Sequence, residues 1–262
     1  ELMRVFKNKQ TAYSISNDIT STDVGFVRYK DEIQDSLILL ARFDADIGKF
    51  KIELIDLLDF NILNEWKVDQ ELINKKKKSS IFDPYLQANT YAGFNPLIKK
   101  NGDLIFNSPL TVVDFCNTVK LINNDFFFHH SNNFDHEGKI WTITKYFPTT
   151  LGRQISGDDF DSFEEDAITK LSKDGSTILF RKSLVKILKE NNLENFIYRY
   201  DYQWDPLHLN DVEPVLNDGP YWKKGDLFLS LRNISSILLY RPSTNKVLNI
   251  ISGPLKHQHD VD

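Results

Sequence analysis

The sequence predicts an all-β chain folded as a β-propeller, and three observations predict it. A polar residue, a glycine and a short apolar strand recur at Gly102, Gly138, Gly175 and Gly225. The intervals are about 36 to 50 residues, the range of propeller repeats with several short strands each. Three of the four units run straight on into a second strand-like pattern, in LTVVDF, KSLVKIL and SILLYRP. Aromatic residues make up 13% of the chain and 19 of them are Phe, which favours strands. On this count the length allows about five or six blades. A β-sandwich with irregular hairpins is the alternative, and the repeated Gly-strand-turn-strand order argues against it.

Composition narrows the function classes. Hydrophobic residues are 41% and charged residues 26%, ordinary values for a globular protein able to bury a core. The net charge of −5 gives no general affinity for nucleic acid or an anionic membrane, so an anion must be captured locally. Cys116 is the lone cysteine, which excludes an intrachain disulfide and a Cys-rich metal site. No apolar run reaches the roughly 18 residues of a membrane span. The start, ELMRVFKNKQ, has neither an initiator Met nor the apolar core of a signal peptide. The expectation is a piece of a longer protein, with an N-terminal segment over 1–24 and a propeller domain over 25–262 that continues beyond 262.

The elements follow in order. Between Gly25 and Val68 lie the apolar runs FVRY, SLILLARF and KFKIELIDLL, and the turn from Asp44 to Lys49 makes the last two a hairpin. NEWKV reads as a further strand. Asp69 to Lys77 reads as one or two helical turns, and Lys75 to Lys78 as a solvated basic run. FDPYLQANTYAGFNPL is loop-like, with Pro84, Gly93 and Pro96. Two segments break the β pattern. Phe160, Phe163, Ala167 and Leu171 sit at near-helical spacing between Asp158 and Gly175. Leu184, Ile187 and Leu188 share one face of a predicted helix between Lys182 and Phe196. Both are expected to cap blade edges.

The chemistry lies in the histidines. His129 and His130 follow an aromatic strand, and neighbours in a strand point to opposite faces, so only one is expected to face a given site. His208 and Asn210 are two apart and share a face if the backbone is extended. Arg232 ends the strand pattern DLFLSL, and His257 and His259 flank Gln258. His130, His208, Arg232 and His259 come at comparable places in successive repeats, and such places converge on a propeller's central channel. A neutral imidazole is a competent nucleophile near neutral pH. Arginine presents a planar fork of donors that matches two oxygens of an anion.

HLNDVEPV, then GDLFLSLRN, then STNKVLNIISGP, then HQHD together resemble the PAPS-independent arylsulfotransferases. LLARFDADIGKFKIELIDL is similar to that family's first blade, and the stretch from Asn101 to Trp141 to the blade carrying its first active-site histidine. The resemblance covers most of the chain from about residue 25 onward, and the ordered series H-x-N, S-x-R and Q-H-D is its specific part. It implies a six-bladed propeller, incomplete in this chain, with the site at the mouth of the channel. It implies transfer of a sulfuryl group from a phenolic sulfate ester to a phenol, with no cofactor and no metal. By the same resemblance His259 matches the nucleophile that carries the group as sulfohistidine, and Arg232 the sulfate-binding arginine. His208 and His130 match the other two active-site histidines. Asn210 matches the polar partner of His208, and His129 is kept as a further substrate contact. The implied partners are an aryl sulfate donor and a phenolic acceptor, with no nucleic acid, and the implied location is the periplasm or another exported site. No GxxxxGK or GxGxxG occurs that would hold a nucleotide sulfate donor. Two rival readings remain: a non-catalytic propeller that binds a partner, and a metal-dependent hydrolase or lyase using His130, His208 and His259, beside which Arg232 is a poor neighbour for a cation.

Overall fold

Four antiparallel sheets, each built from consecutive strands, make up the computed structural model, which describes residues 37–77, 95–107, 109–150, 164–198 and 205–261. The first sheet holds β1 (Leu37–Asp44), β2 (Lys49–Asp56) and β3 (Ile62–Lys67). The second holds β4 (Leu97–Ile98), β5 (Leu104–Phe106), β6 (Leu110–Val113) and β7 (Val119–Asn123). The third holds β8 (Phe128–Phe134), β9 (Ile140–Lys145), β10 (Asp166–Leu171) and β11 (Ile178–Ser183). The fourth holds β12 (Leu209–Pro214), β13 (Leu227–Leu231), β14 (Ser236–Arg241) and β15 (Lys246–Ser252). Strand order follows chain order in every sheet. These are propeller blades.

The apolar residues show how the blades stack. One cluster joins Ile52, Leu54 and Trp66 of the first sheet to Leu104, Phe106 and Val113 of the second. A second joins Ile105, Leu110 and Val112 to Phe128, Ile140 and Leu171 of the third. A third joins Trp141, Ile143 and Ile168 to Leu209, Val212, Leu227 and Leu229 of the fourth. Within β5, Leu104 and Phe106 face one neighbour and Ile105 the other, as the two-residue period of a strand requires. A two-layer sandwich has one such core; a series of blades has one at every seam.

The predicted hairpin at Asp44 to Lys49 is present, with Gly48 at φ +63° supplying the left-handed turn residue. The other face of β2 carries charge: Lys51 Nζ meets Asp44, Glu53 and Glu65, and Arg42 forks onto Glu53. The two short helices form where expected. Helix α1 (Gln70–Lys76) is capped by Asp69, and Lys75 and Lys76 occupy its last turn. Helix α2 (Leu184–Glu190) is capped by Ser183 and buries Leu184, Val185, Ile187 and Leu188 in the third cluster.

One expectation is overturned. Ala167 and Leu171 lie in β10, not in a helix. β10 is an interior strand paired on both sides, with β9 and β11. Ile168 and Thr169 are β-branched, and Thr169 Oγ1 meets Thr144 Oγ1 of β9 at 2.8 Å. Two ladders of main-chain bonds outweigh a weak helical spacing. Phe160 and Phe163, the FVRY run, Lys78 and the loop-like segment before Asn95 fall outside the described residues.

Candidate active site

The site forms where the first strands of the third and fourth sheets meet. Asn133 Nδ2 of β8 donates to Asp211 Oδ1 and to the Val212 carbonyl of β12, both at 3.1 Å. Val212 N donates back to Ser131 Oγ at 3.1 Å. On the other side of β8, Asn107 Nδ2 donates to the His130 carbonyl at 2.9 Å and Asn132 Nδ2 to the Asn95 carbonyl at 3.2 Å. The inner strands are thus fixed to one another by short side chains, and the histidines sit at their ends.

His130 and His208 share an unusual backbone, with φ +54° and φ +50°. His130 lies within a break in strand register, between His129 and Asn132 of β8, and His208 stands just before one, between Leu209 and Asp211 of β12. The bulges aim both imidazoles into one space, where the rings meet edge to face with centroids 5.2 Å apart. This corrects two expectations. His129 and His130 do not diverge to opposite faces: the bulge brings their Nδ1 atoms to 2.6 Å. His208 is not extended, so its relation to Asn210 is not that of alternate strand residues; Asn210 is buried and its Nδ2 donates to the Gln258 carbonyl at 2.9 Å.

His208 Nδ1 contacts the carboxylate of Asp205, a residue only 1% exposed. The Asp205 carbonyl accepts from Asn233 Nδ2 at 2.6 Å, and Arg232 N and Asn233 N donate to the His208 and Leu207 carbonyls. The strand end that carries Arg232 is thereby bound to the segment that carries His208. Arg232 Nη1 donates to Asn233 Oδ1 at 2.9 Å, and its Nε donates to His259 Nε2 at 3.2 Å. The segment bearing His259 is pinned in turn: Gln258 Nε2 reaches the Leu231 and Ser236 carbonyls, and His257 N reaches Ser235 Oγ. His130, His208, Arg232 and His259 therefore form one cluster, with Asn210 behind His259 and His129 behind His130.

The electrostatics favour neutral imidazoles at His129, His130 and His259. Burial, then the charges of Arg232 and His208, hold the His259 pKa below its ordinary value. Burial, with His129 and His208 adding, pushes His130 down to about 2. His129 is lowered by burial and by Lys145, against the pull of Asp166. Burial opposes ionisation of Asp166, but Lys145 and His129 outweigh it and keep the carboxylate charged. Burial, assisted by the charge of Asp260, raises Asp211 to about 7 despite its hydrogen bonds to Ser131 and Asn133.

Sequence reasoning missed Asp205, Asp166 and Lys145. A signal for the site was present: His130-Ser-Asn-Asn, His208-Leu-Asn-Asp and His257-Gln-His-Asp repeat one pattern. In all three the leading histidine is left-handed, with His257 at φ +48°. Asp205, three residues before His208, follows from no such pattern. Among the described residues no group of three or more His, Cys, Asp or Glu is arranged to hold a metal, and no helix is long and apolar enough to cross a membrane.

The sequence pattern of the arylsulfotransferase (ASST) family matches residues 96–262. The chain belongs to this family. The match takes in all four residues of the cluster. No curated protein matches the chain. Among solved structures, this chain is similar to the dihydro-heme d1 dehydrogenase NirN, at 9% identity and a TM-score of 0.40 over 86% of this chain and 37% of that one. It is also similar to a streptogramin B lyase, at 16% identity and a TM-score of 0.39 over 85% of this chain and 57% of the other. The chain spans well under two thirds of the length of both.

Proposed function

We propose that this arylsulfotransferase moves a sulfuryl group from a phenolic sulfate ester to a phenol in two steps, through a sulfohistidine at His259. One observation carries the reading: the Nε2 lone pair of His259 points at the Arg232 guanidinium, where an anionic sulfuryl group would seat. In the first step Arg232 Nε–H turns from His259 Nε2 to a sulfuryl oxygen, and the freed Nε2 lone pair forms a bond to sulfur. The bond from sulfur to the phenolic oxygen breaks, and its electron pair leaves with that oxygen. Arg232 spreads its donors over the sulfuryl oxygens as charge builds. His208, with Nδ1–H directed at Asp205, gives a proton from Nε2 to the departing phenolate. In the second step the acceptor phenol attacks sulfur, the N–S bond breaks and returns its pair to His259, and the phenol's proton goes to His208. Asn210 holds the His259 segment through the Gln258 carbonyl. The exported location that the resemblance implies belongs to this proposal as well, and cell fractionation tests it.

The test is intact mass after brief exposure to an aryl sulfate without acceptor, kept at neutral or alkaline pH. A single sulfuryl adduct that is absent in His259→Ala supports the route. A folded protein that binds aryl sulfate, releases no phenol and gains no adduct indicates a binding propeller instead.

A further inference from the structure

We propose that Asp166 and His129 are positioning residues that fix His130 as its Nδ1–H tautomer, so that His130 meets substrate with a lone pair and not with an N–H. The proposal rests on reading the cluster as a sulfuryl-transfer site, but its physical content is independent of activity. A neutral imidazole carries one N–H and one lone pair. His129 Nε2 faces Asp166 Oδ1 at 3.2 Å, off the line of an ideal hydrogen bond. A carboxylate can only accept, so the hydrogen of His129 belongs on Nε2. Its Nδ1 is then a lone pair. His130 Nδ1, at 2.6 Å from it, must be the donor of that contact. The remaining nitrogen of His130, Nε2, is left bare on a ring that packs edge to face against His208.

Three features hold this arrangement in place. Asp166 is 5% exposed and its charge is fixed by Lys145 Nζ at 2.9 Å, which Glu164 also contacts at 2.6 Å. Its other oxygen accepts from Leu209 N at 2.9 Å, the amide next to His208, so one carboxylate ties both histidine-bearing strands. Phe127 stacks on the His129 ring with centroids 5.8 Å apart, which fixes the ring plane. Setting a tautomer through the nitrogen remote from substrate is a common use of a buried carboxylate.

The consequence is a division of labour. A bare Nε2 cannot donate to sulfuryl oxygens, which are left to Arg232. It can receive the O–H of an incoming phenol, so the acceptor is bound in its neutral form. Burial makes His130 too weak a base to take that proton, so as the O–S bond forms the O–H turns from His130 Nε2 to the bare Nε2 of His208, which accepts it.

The decisive experiment is two-bond 1H–15N spectroscopy of the histidine-labelled protein without substrate, with His130→Gln and His129→Gln used to assign signals. The expected spectrum shows His130 protonated at Nδ1 and His129 at Nε2. A His130 protonated at Nε2 overturns the proposal whether or not the protein transfers sulfuryl groups. With activity, His129→Phe, which removes the acceptor, is expected to slow the second half-reaction about tenfold, the worth of one hydrogen bond. His129→Gln, whose Oε1 can accept, restores it. Equal loss in both variants refutes the positioning role.

Discussion

Replacing Asp205 by Asn keeps the size of a side chain that is almost wholly buried and removes its charge. The Asp205 carbonyl that holds Asn233 is untouched, so the strand ends stay joined. What changes is the partner of His208 Nδ1. A hydrogen bond to a charged group is worth about 1.5–3 kcal/mol, against roughly half that for a neutral amide. Full loss corresponds to roughly 10- to 150-fold in rate when that bond strengthens in the transition state. The loss should depend on the leaving group. A phenolate of low basicity needs little help from an acid, and a strongly basic one needs much. Aryl sulfates spanning a range of phenol pKa are therefore the assay, with phenol release followed in the first half-reaction. Asp205→Asn is expected to steepen the dependence of rate on leaving-group pKa. An unchanged slope, or an equal loss for every ester, would refute the role given to the Asp205–His208 pair.

Four further outcomes follow from the same geometry. Arg232→Ala removes the fork of donors and is expected to cost on the order of 100- to 1,000-fold in adduct formation, read by intact mass against time. His259 has a lowered pKa, so its nucleophilic form persists into more acidic solution; with the ester of a weakly basic phenolate, which needs little help from an acid, adduct formation should stay flat through the ordinary histidine range and fall only below it. His130 remains neutral in the folded state while an unfolded histidine takes up a proton below about 6.5. Stability should therefore be full above that pH and fall by about 1.4 kcal/mol per pH unit beneath it. Urea titrations at several pH values check this, with a shallower fall expected in His130→Gln. Ile168→Ala opens a cavity in the core shared by the third and fourth sheets and should cost about 2–5 kcal/mol by chemical denaturation.

The sequence revealed most of the architecture because glycine turns and apolar runs are local signals. Gly48, Gly102, Gly138, Gly175 and Gly225 all take positive φ, and a strand follows each of them. β10 was hidden because Ala167, Ile168 and Leu171 fit either period, and only its two neighbours decide between them. The convergence of His130, His208, Arg232 and His259 was legible as a family pattern. The closeness of His129 to His130 was not, since a bulge is set by the strand opposite and not by the two residues themselves. Asp166 and Lys145 were unreadable for a related reason: their partners lie on other strands, and nothing local distinguishes them from surface charges.

The side-chain amides between sheets have one more consequence. Asn107, Asn132 and Asn133 set how far apart neighbouring inner strands lie, and none of them belongs to the reactive cluster. Asn133 alone of the three joins the strand of His130 to the strand after His208, and exchanging it for a longer or shorter residue is expected to change the spacing of the two histidines while every strand keeps its own ladder. On the proposed function, substrate breadth is expected to change at position 133 with the chemistry held constant.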